Sequence, residues 1–289
     1  MNIMAISRGA VIAALAAAAS STASSGAATE QPITPLLEKP VNYSPAVERN
    51  YPDQVLFGDT HLHTAYSADA GLVGCLRTPD DAYRFARGET VVSSTGTPAR
   101  LARPLDWLVV TDHAENLGLP IAIFSSDPKL LATEWGRKIY DVAKPRTIEA
   151  MLEAYAIWQV GALDTMQDPL AGEAALAHTF WQEITAAADR HYEPGSFTSF
   201  IGYEWTLAPG GNNLHRNVIF RDGSERANQV VPLTAFDTQD PQELWRWMSD
   251  YERDTGGRVM ALAHNGNLSN GLMFDDLTLV GKEPLDADY

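Results

Sequence analysis

The amino-acid sequence predicts an α/β protein with its chemistry gathered at the carboxyl ends of buried parallel strands, and three observations predict it. Short apolar, β-rich runs alternate with stretches of helical periodicity, as buried parallel strands and their crossovers do. Each of these runs leads straight into a histidine or a carboxylate, followed by Gly, Asn or another turn residue. Among 289 residues, 45% are hydrophobic and 20% charged, which supplies a core for one large domain or two modest ones.

Taken from the amino terminus, residues 1–28 carry one charge, Arg8, then an apolar run over 9–19 and small side chains at Gly26 and Ala28. That is the pattern of a secretory signal peptide. A membrane anchor is the alternative, but the run falls short of the roughly 20 residues that a bilayer span needs. Loss of Arg8 with this segment takes the net charge from −16 to −17. The mature protein is therefore expected in the periplasm or outside the cell, with no membrane attachment. Residues 29–50, rich in proline and aperiodic, are expected to form an extended leader, and 51–289 the folded domain. With Lys+Arg at 21 and Asp+Glu at 37, nucleic acid is excluded as a partner, because phosphate binding needs a basic footprint. The single cysteine, Cys75, excludes an internal disulfide framework and any cysteine-rich zinc module.

The predicted strands cover residues 55–59, 105–110, 197–202 and 258–263. They run respectively into His61 and His63, into Asp112 and His113, into Glu204, and into His264. A fifth run, 215–220, follows a Gly/Asn turn and is expected to form a hairpin with the strand ending at Trp205, bringing His215 near Glu204. In extended backbone, residues i and i+2 project to one side, so His61 and His63 can grip one ion together. Asp59 shares their parity and is a candidate to orient a ligand imidazole, and Asp69 lies in a loop able to fold back toward the same ion. A lone His-x-His pair is weak evidence. Convergence is stronger: of 7 histidines, only His178 and His191 lie away from predicted strand termini. Imidazole and carboxylate donors without thiolate suit zinc, manganese or iron, and so many donors imply more than one ion.

Residues 116–195 interrupt the strand rhythm with helical periodicity. Ile148, Met151, Leu152, Tyr155 and Trp158 recur at helical spacing, and an alanine-rich helix follows over 173–190. Because this insertion leaves and returns at strand ends that carry candidate ligands, it is expected to cover the site as a lid; packing against the side of the domain is the alternative. Trp245 and Trp247 read as the packed aromatic face of a later helix.

In combination, Asp59-Thr-His61-Leu-His63, Ser67-Ala-Asp69, Thr111-Asp-His113, Gly202-Tyr-Glu204 and His264 resemble the polymerase-and-histidinol-phosphatase (PHP) superfamily. The extended forms Thr-Asp-His-Ala-Glu, Gly-Tyr-Glu-Trp and His-Asn-Gly-Asn resemble its branch known as domain of unknown function 3604, over residues 51–275. The resemblance implies a distorted (β/α)7 TIM-like barrel holding two or three divalent ions. By motif, His61 and His63 would take the first ion, Asp69 and His113 the second, and His215 and His264 the third, with Glu204 bridging. The superfamily also uses a late Asp-x-His, whereas no histidine follows His264 here, and four or five strands are too few for a closed barrel. The sequence is accordingly expected to be a carboxyl-terminally truncated piece of a longer chain, with an incomplete barrel.

These features favour a metal-dependent hydrolase acting on a small anionic substrate, a phosphate ester or related oxyanion ester. Arg216, beside His215, is a candidate for a bidentate fork on the substrate oxyanion, with a surface ion pair as its alternative. Amidohydrolase- or sulfatase-like chemistry on the same ions, and metal binding without catalysis, are the competing expectations. No Gly-x-Gly-x-x-Gly, Walker-type lysine or Gly-x-Ser-x-Gly elbow supports a nucleotide-binding or serine-hydrolase function.

Overall fold

The computed structural model describes residues 54–170 and 174–285, so the expected signal peptide and leader lie outside the described residues. In chain order the elements are β1 (Gly58–Asp59), α1 (Ala68–Leu72), α2 (Pro79–Ala86), β2 (Val91–Val92), β3 (Pro98–Ala99) and β4 (Trp107–Val109). Then come α3 (Leu119–Ser125), α4 (Pro128–Ala132), α5 (Glu134–Ala143), α6 (Ile148–Trp158) and α7 (Ala174–His191). The last group is β5 (Thr198–Trp205), β6 (Arg216–Phe220), α8 (Ser224–Ala227), α9 (Pro241–Thr255) and β7 (Val259–Ala263).

Five strands form one sheet in the order β1-β4-β5-β6-β7, and β2 pairs with β3 in a separate small hairpin. β1, β4 and β5 are parallel; β6 is antiparallel to both β5 and β7. All four strands expected to be parallel therefore point one way. The hairpin strand β6 runs back between two of them, so its first residues share a rim with the ends of the others. The sheet curls into half a barrel. The sheet does not close, since β1 and β7 each have one partner among the described residues. Curled strands meet only when strand number and stagger suffice, and five do not complete the circle. The first strand is also shorter than its sequence suggests, since Val55, Leu56 and Phe57 are exposed rather than buried.

One face of the sheet is packed with aromatic side chains. Trp181 of α7 meets Tyr203 and Phe220 edge-on or tilted, and Trp247 of α9 meets Tyr203, Phe220 and Tyr251. This matches the packing role expected for Trp247. β5 and its neighbours approach too closely at Gly202 for any side chain. A Cβ there would stand 2.5 Å from Val109 Cγ2 and 2.9 Å from the Val218 carbonyl oxygen. The Gly202→Ala variant is expected to lose about 2–3 kcal/mol of stability, read by urea denaturation, because a close-packed sheet cannot give way on both sides.

α6 starts at a Thr147 cap, whose hydroxyl accepts the Ala150 N–H at 3.2 Å. The apolar residues at helical spacing do not share one environment. Ala150, Ala154 and Trp158 are buried, while Ile148 is 74% and Leu152 52% exposed. Small residues let the helix lie close to its neighbours, with Trp158 filling the space at its end. No helix among the described residues is long and apolar enough to cross a membrane.

Candidate metal centre

Where β1 ends, the chain is bound tightly to the end of β4. Leu62 donates to the Thr111 hydroxyl at 3.1 Å, and Thr111 donates to the Leu62 carbonyl at 2.8 Å. One turn on, buried Asp112 accepts the Thr64 N–H at 2.5 Å and the Thr64 hydroxyl at 2.7 Å. Burial pushes the Asp112 carboxyl up to about 6. The segment bearing His61 and His63 is thus held by backbone and side-chain bonds at both ends. Asp59 does its work on the backbone, accepting the His61 N–H at 3.1 Å from an exposed position. The expected bond from Asp59 to a ligand imidazole is not made: an acceptor two residues back closes a local turn before it can reach the ring.

An isolated parallel bridge continues the β4–β5 register and sets His113 opposite Glu204. Glu204, at the end of β5, is fully buried. Around its carboxylate, His63 Nε2 stands at 2.7 Å, His215 Nδ1 at 2.5 Å and His264 Nε2 at 3.0 Å. His113 Nδ1 and His61 Nδ1 lie farther out, at 3.7 and 3.9 Å. The same five imidazoles form a closed ring of neighbours. Ring centroids are 4.6 Å apart for His61–His63, 4.6 Å for His63–His113, 5.8 Å for His113–His215, 5.7 Å for His215–His264 and 4.1 Å for His264–His61. Asp69 sits outside the ring, 3.0 Å from His63 Nδ1 and 3.4 Å from His113 Nε2. α1 and Ser67 hold it there: the Ser67 hydroxyl donates to Asp69 at 2.6 Å while accepting the His113 N–H at 3.1 Å.

The electrostatics of so many imidazoles around one acid decide what the cluster can hold. Burial would lift the Glu204 carboxyl, but His113 and the bonds from His215, His264 and His63 outweigh it and hold it well below the usual carboxylate range. Burial likewise works against charge on His63, yet its bonds to Asp69 and Glu204 raise it to about 10. For His61 and His215 burial wins, and both are lowered. That lowering favours the neutral form of His61 and His215, the state in which imidazole binds a divalent cation, whereas His63 and His113 are raised and would give up a proton to do so. The donor atoms fall into three groups, each with its atoms within 4.8 Å of one another: His61, His63 and Glu204; His63, Asp69 and His113; Glu204, His215 and His264. The buried Nδ1 of His264 has no hydrogen-bond partner among the described residues. This buried set of imidazole and carboxylate groups is consistent with metal binding.

All seven candidate ligands come together, with His63 and Glu204 each shared by two groups. The candidate role of Arg216 does not survive. Along β6, His215 and Asn217 face the ring, so Arg216 between them faces the opposite side of the sheet. Its guanidinium lies 5.9 Å from the Trp205 ring and 5.3 Å from Trp245, and Nη1 donates to the Leu214 carbonyl at 2.6 Å. It is buried there, neither in the cluster nor on the surface. Both remaining histidines lie elsewhere: His178 is exposed on α7, and His191 Nε2 sits 3.0 Å from Asp80.

Sequence reasoning missed the residues that support the ligands. Asn217 donates to the Thr60 carbonyl at 2.8 Å and turns its oxygen toward His61 Nδ1 at 3.2 Å. The Thr206 hydroxyl contacts His113 Nδ1, and Glu115, buried beneath, accepts the Thr206 and Ala235 N–H groups. Asn217 had a signal, since it stands two residues after His215 in one strand. The insertion reaches the centre through Trp158, whose ring lies 5.9 Å from His113. Its indole donates to Asn116 at 3.1 Å, and Asn116 donates on to Asp168 at 2.8 Å, fastening the end of α6 to the loop that follows β4.

A family model described as a protein of unknown function (DUF3604) matches residues 50–289. Comparison with curated proteins and with solved structures gives no match.

Proposed function

The chain belongs to the DUF3604 family, and from that premise we propose that it is an exported metal-dependent hydrolase of phosphate esters or related oxyanion esters, built on a PHP-type (β/α)7 barrel with two or three ions. One observation carries the proposal: five imidazoles close a ring around a single buried carboxylate, Glu204. Zinc, manganese or iron bound by such donors would lower the pKa of water toward neutrality and neutralise charge developing on a substrate oxygen. The residues divide the remaining work. Glu204 and His63 join the three donor groups, so the cations would share ligands and stay close together. Asp69, anchored by Ser67, adds negative charge beside His63 and His113. Thr206 and Asn217 meet His113 and His61 at Nδ1 and so help to fix their ring planes. Cations concentrated at one rim of an otherwise acidic protein favour a small anionic substrate over a polyanion.

The test is metal analysis of the purified chain together with a substrate panel. Two or three divalent ions per chain, and release of p-nitrophenol from the phosphate ester or phosphonate in preference to the sulfate or the p-nitroanilide, are expected. Fewer than one ion per chain ends the proposal. Preferred cleavage of the sulfate or anilide would move the same centre to sulfatase- or amidohydrolase-like chemistry.

A further inference from the structure

Two residues past His113 the chain buries an acid that none of the three donor groups uses. Glu115, Thr206 and Ala235 are all fully buried. One oxygen of Glu115, Oε1, accepts the Thr206 N–H at 3.2 Å and the Ala235 N–H at 2.7 Å. The other, Oε2, is buried with no hydrogen-bond partner among the described residues. A buried acid left half-satisfied is costly, and close packing alone does not explain it. Its position does. Glu115 ties the segment that follows β4 to the end of β5 and to the loop at Ala235. The Ala114 N–H closes the same junction on the Glu204 carbonyl at 2.9 Å. At that junction the Thr206 hydroxyl meets His113 Nδ1. His113 and Glu115 attract each other electrostatically as well.

Which nitrogen of His113 can face a cation depends on where its proton sits. The Thr206 hydroxyl donates to the Glu204 carbonyl at 3.5 Å, which leaves its oxygen to accept from Nδ1. The Glu204 carboxylate, 3.7 Å from Nδ1, favours a proton on the same nitrogen. Nε2 is then bare, and Nε2 is the atom 3.4 Å from Asp69, in the donor group of His63, Asp69 and His113. We propose that Glu115 is a positioning residue for His113: it holds Thr206 so that the hydroxyl takes the Nδ1 proton and Nε2 stays free for a cation beside Asp69. Metal-ligating histidines are commonly oriented in this way through their second nitrogen. The inference rests on the metal-dependent reading of the centre and adds the residues that govern one of its ions.

Nitrogen-15 NMR of the neutral His113 ring in the metal-free chain, paired with calorimetric zinc titration, tests it. In the natural chain the ring proton is expected on Nδ1. Thr206→Val keeps the shape and removes the acceptor. The proton should then spread over both nitrogens, and zinc affinity at one ion should fall about 10- to 100-fold. Thr206→Ser should restore both. Glu115→Gln, with a weaker hold on the Thr206 N–H, should lose about tenfold at the same ion. Added to Thr206→Val it should lose almost nothing further, because it acts through that hydroxyl. A proton on Nε2 in the natural chain, or an unchanged ring in Thr206→Val, would overturn the inference whether or not Glu115→Gln folds. So would losses from the two substitutions that simply add. A chain that keeps the Nδ1 proton through Thr206 and yet binds fewer than one zinc ion would instead overturn the hydrolase proposal alone.

Discussion

Replacing Glu204 by glutamine is expected to empty the centre. Glu204 belongs to two of the three donor groups, and its carboxylate is the charge toward which His63, His215 and His264 are drawn. The amide keeps the volume but presents one oxygen and no charge. Metal analysis should show a loss of at least one ion per chain, and kcat for the phosphate ester should fall by about a thousandfold or more, the equivalent of roughly 4 kcal/mol of lost charge stabilisation. The metal-free protein should be less stable as well. His63 would keep a buried positive charge with one of its two acidic partners removed, and breaking a buried pair from one side costs about 3–5 kcal/mol. A Glu204→Gln protein that retains all its ions and its unfolding midpoint would remove Glu204 from the ligands of the centre.

Cation affinity is expected to climb steeply with pH. In the metal-free chain His63 holds its proton up to about 10, so over the ordinary working range a cation must displace that proton. Affinity should rise about tenfold per pH unit for each proton displaced, and proton release should appear in calorimetric titrations repeated in buffers of different ionisation enthalpy. The stability of the metal-free chain follows the opposite course. Because the His63 value is raised on folding, the stability it contributes is complete below its ordinary value of 6.5 and is lost as the pH rises through about 10. Glu204 and Asp69 are lowered on folding, so their contribution is present above their ordinary values of 4.5 and 3.8 and disappears in acid. His61 and His215 are lowered too, and favour the folded chain least below 6.5, where the unfolded chain takes up protons more readily. Alkaline pH should therefore destabilise the metal-free protein while strengthening the metal-loaded one. Cation affinity that does not change with pH would remove His63 from the ligands.

Much of the centre was legible residue by residue. The i, i+2 rule puts His61 and His63 on one side of an extended segment, and a turn before His215 brings that residue back to Glu204, because both follow from local backbone geometry. The same rule, applied one residue further, would have chosen Asn217 and rejected Arg216. The choice of Arg216 came from its charge, and charge carries no information about which side of a strand a residue faces. Asp59 failed for a related reason: parity gave its side, but the nearest donor within reach was a backbone N–H. On α6 the apolar spacing gave the helix but not what lies against each residue: Trp158 is buried, whereas Ile148 and Leu152 are exposed. The alanines Ala150 and Ala154 bring the helix close by being small, a property that a hydrophobicity pattern does not register.

What the sequence determined by itself was local: which residues are extended or helical, which side chains share a face, and that four strands end in imidazoles or acids. Only the tertiary structure decided that these ends meet around Glu204, that His63 and Glu204 are each shared between donor groups, and that the sheet curls without closing among the described residues. The physical reason is separation along the chain. His61 and His264 stand on different edges of one sheet, and their contact at 4.1 Å depends on strand order and curl. Those depend in turn on how every element packs, which no short stretch of residues encodes.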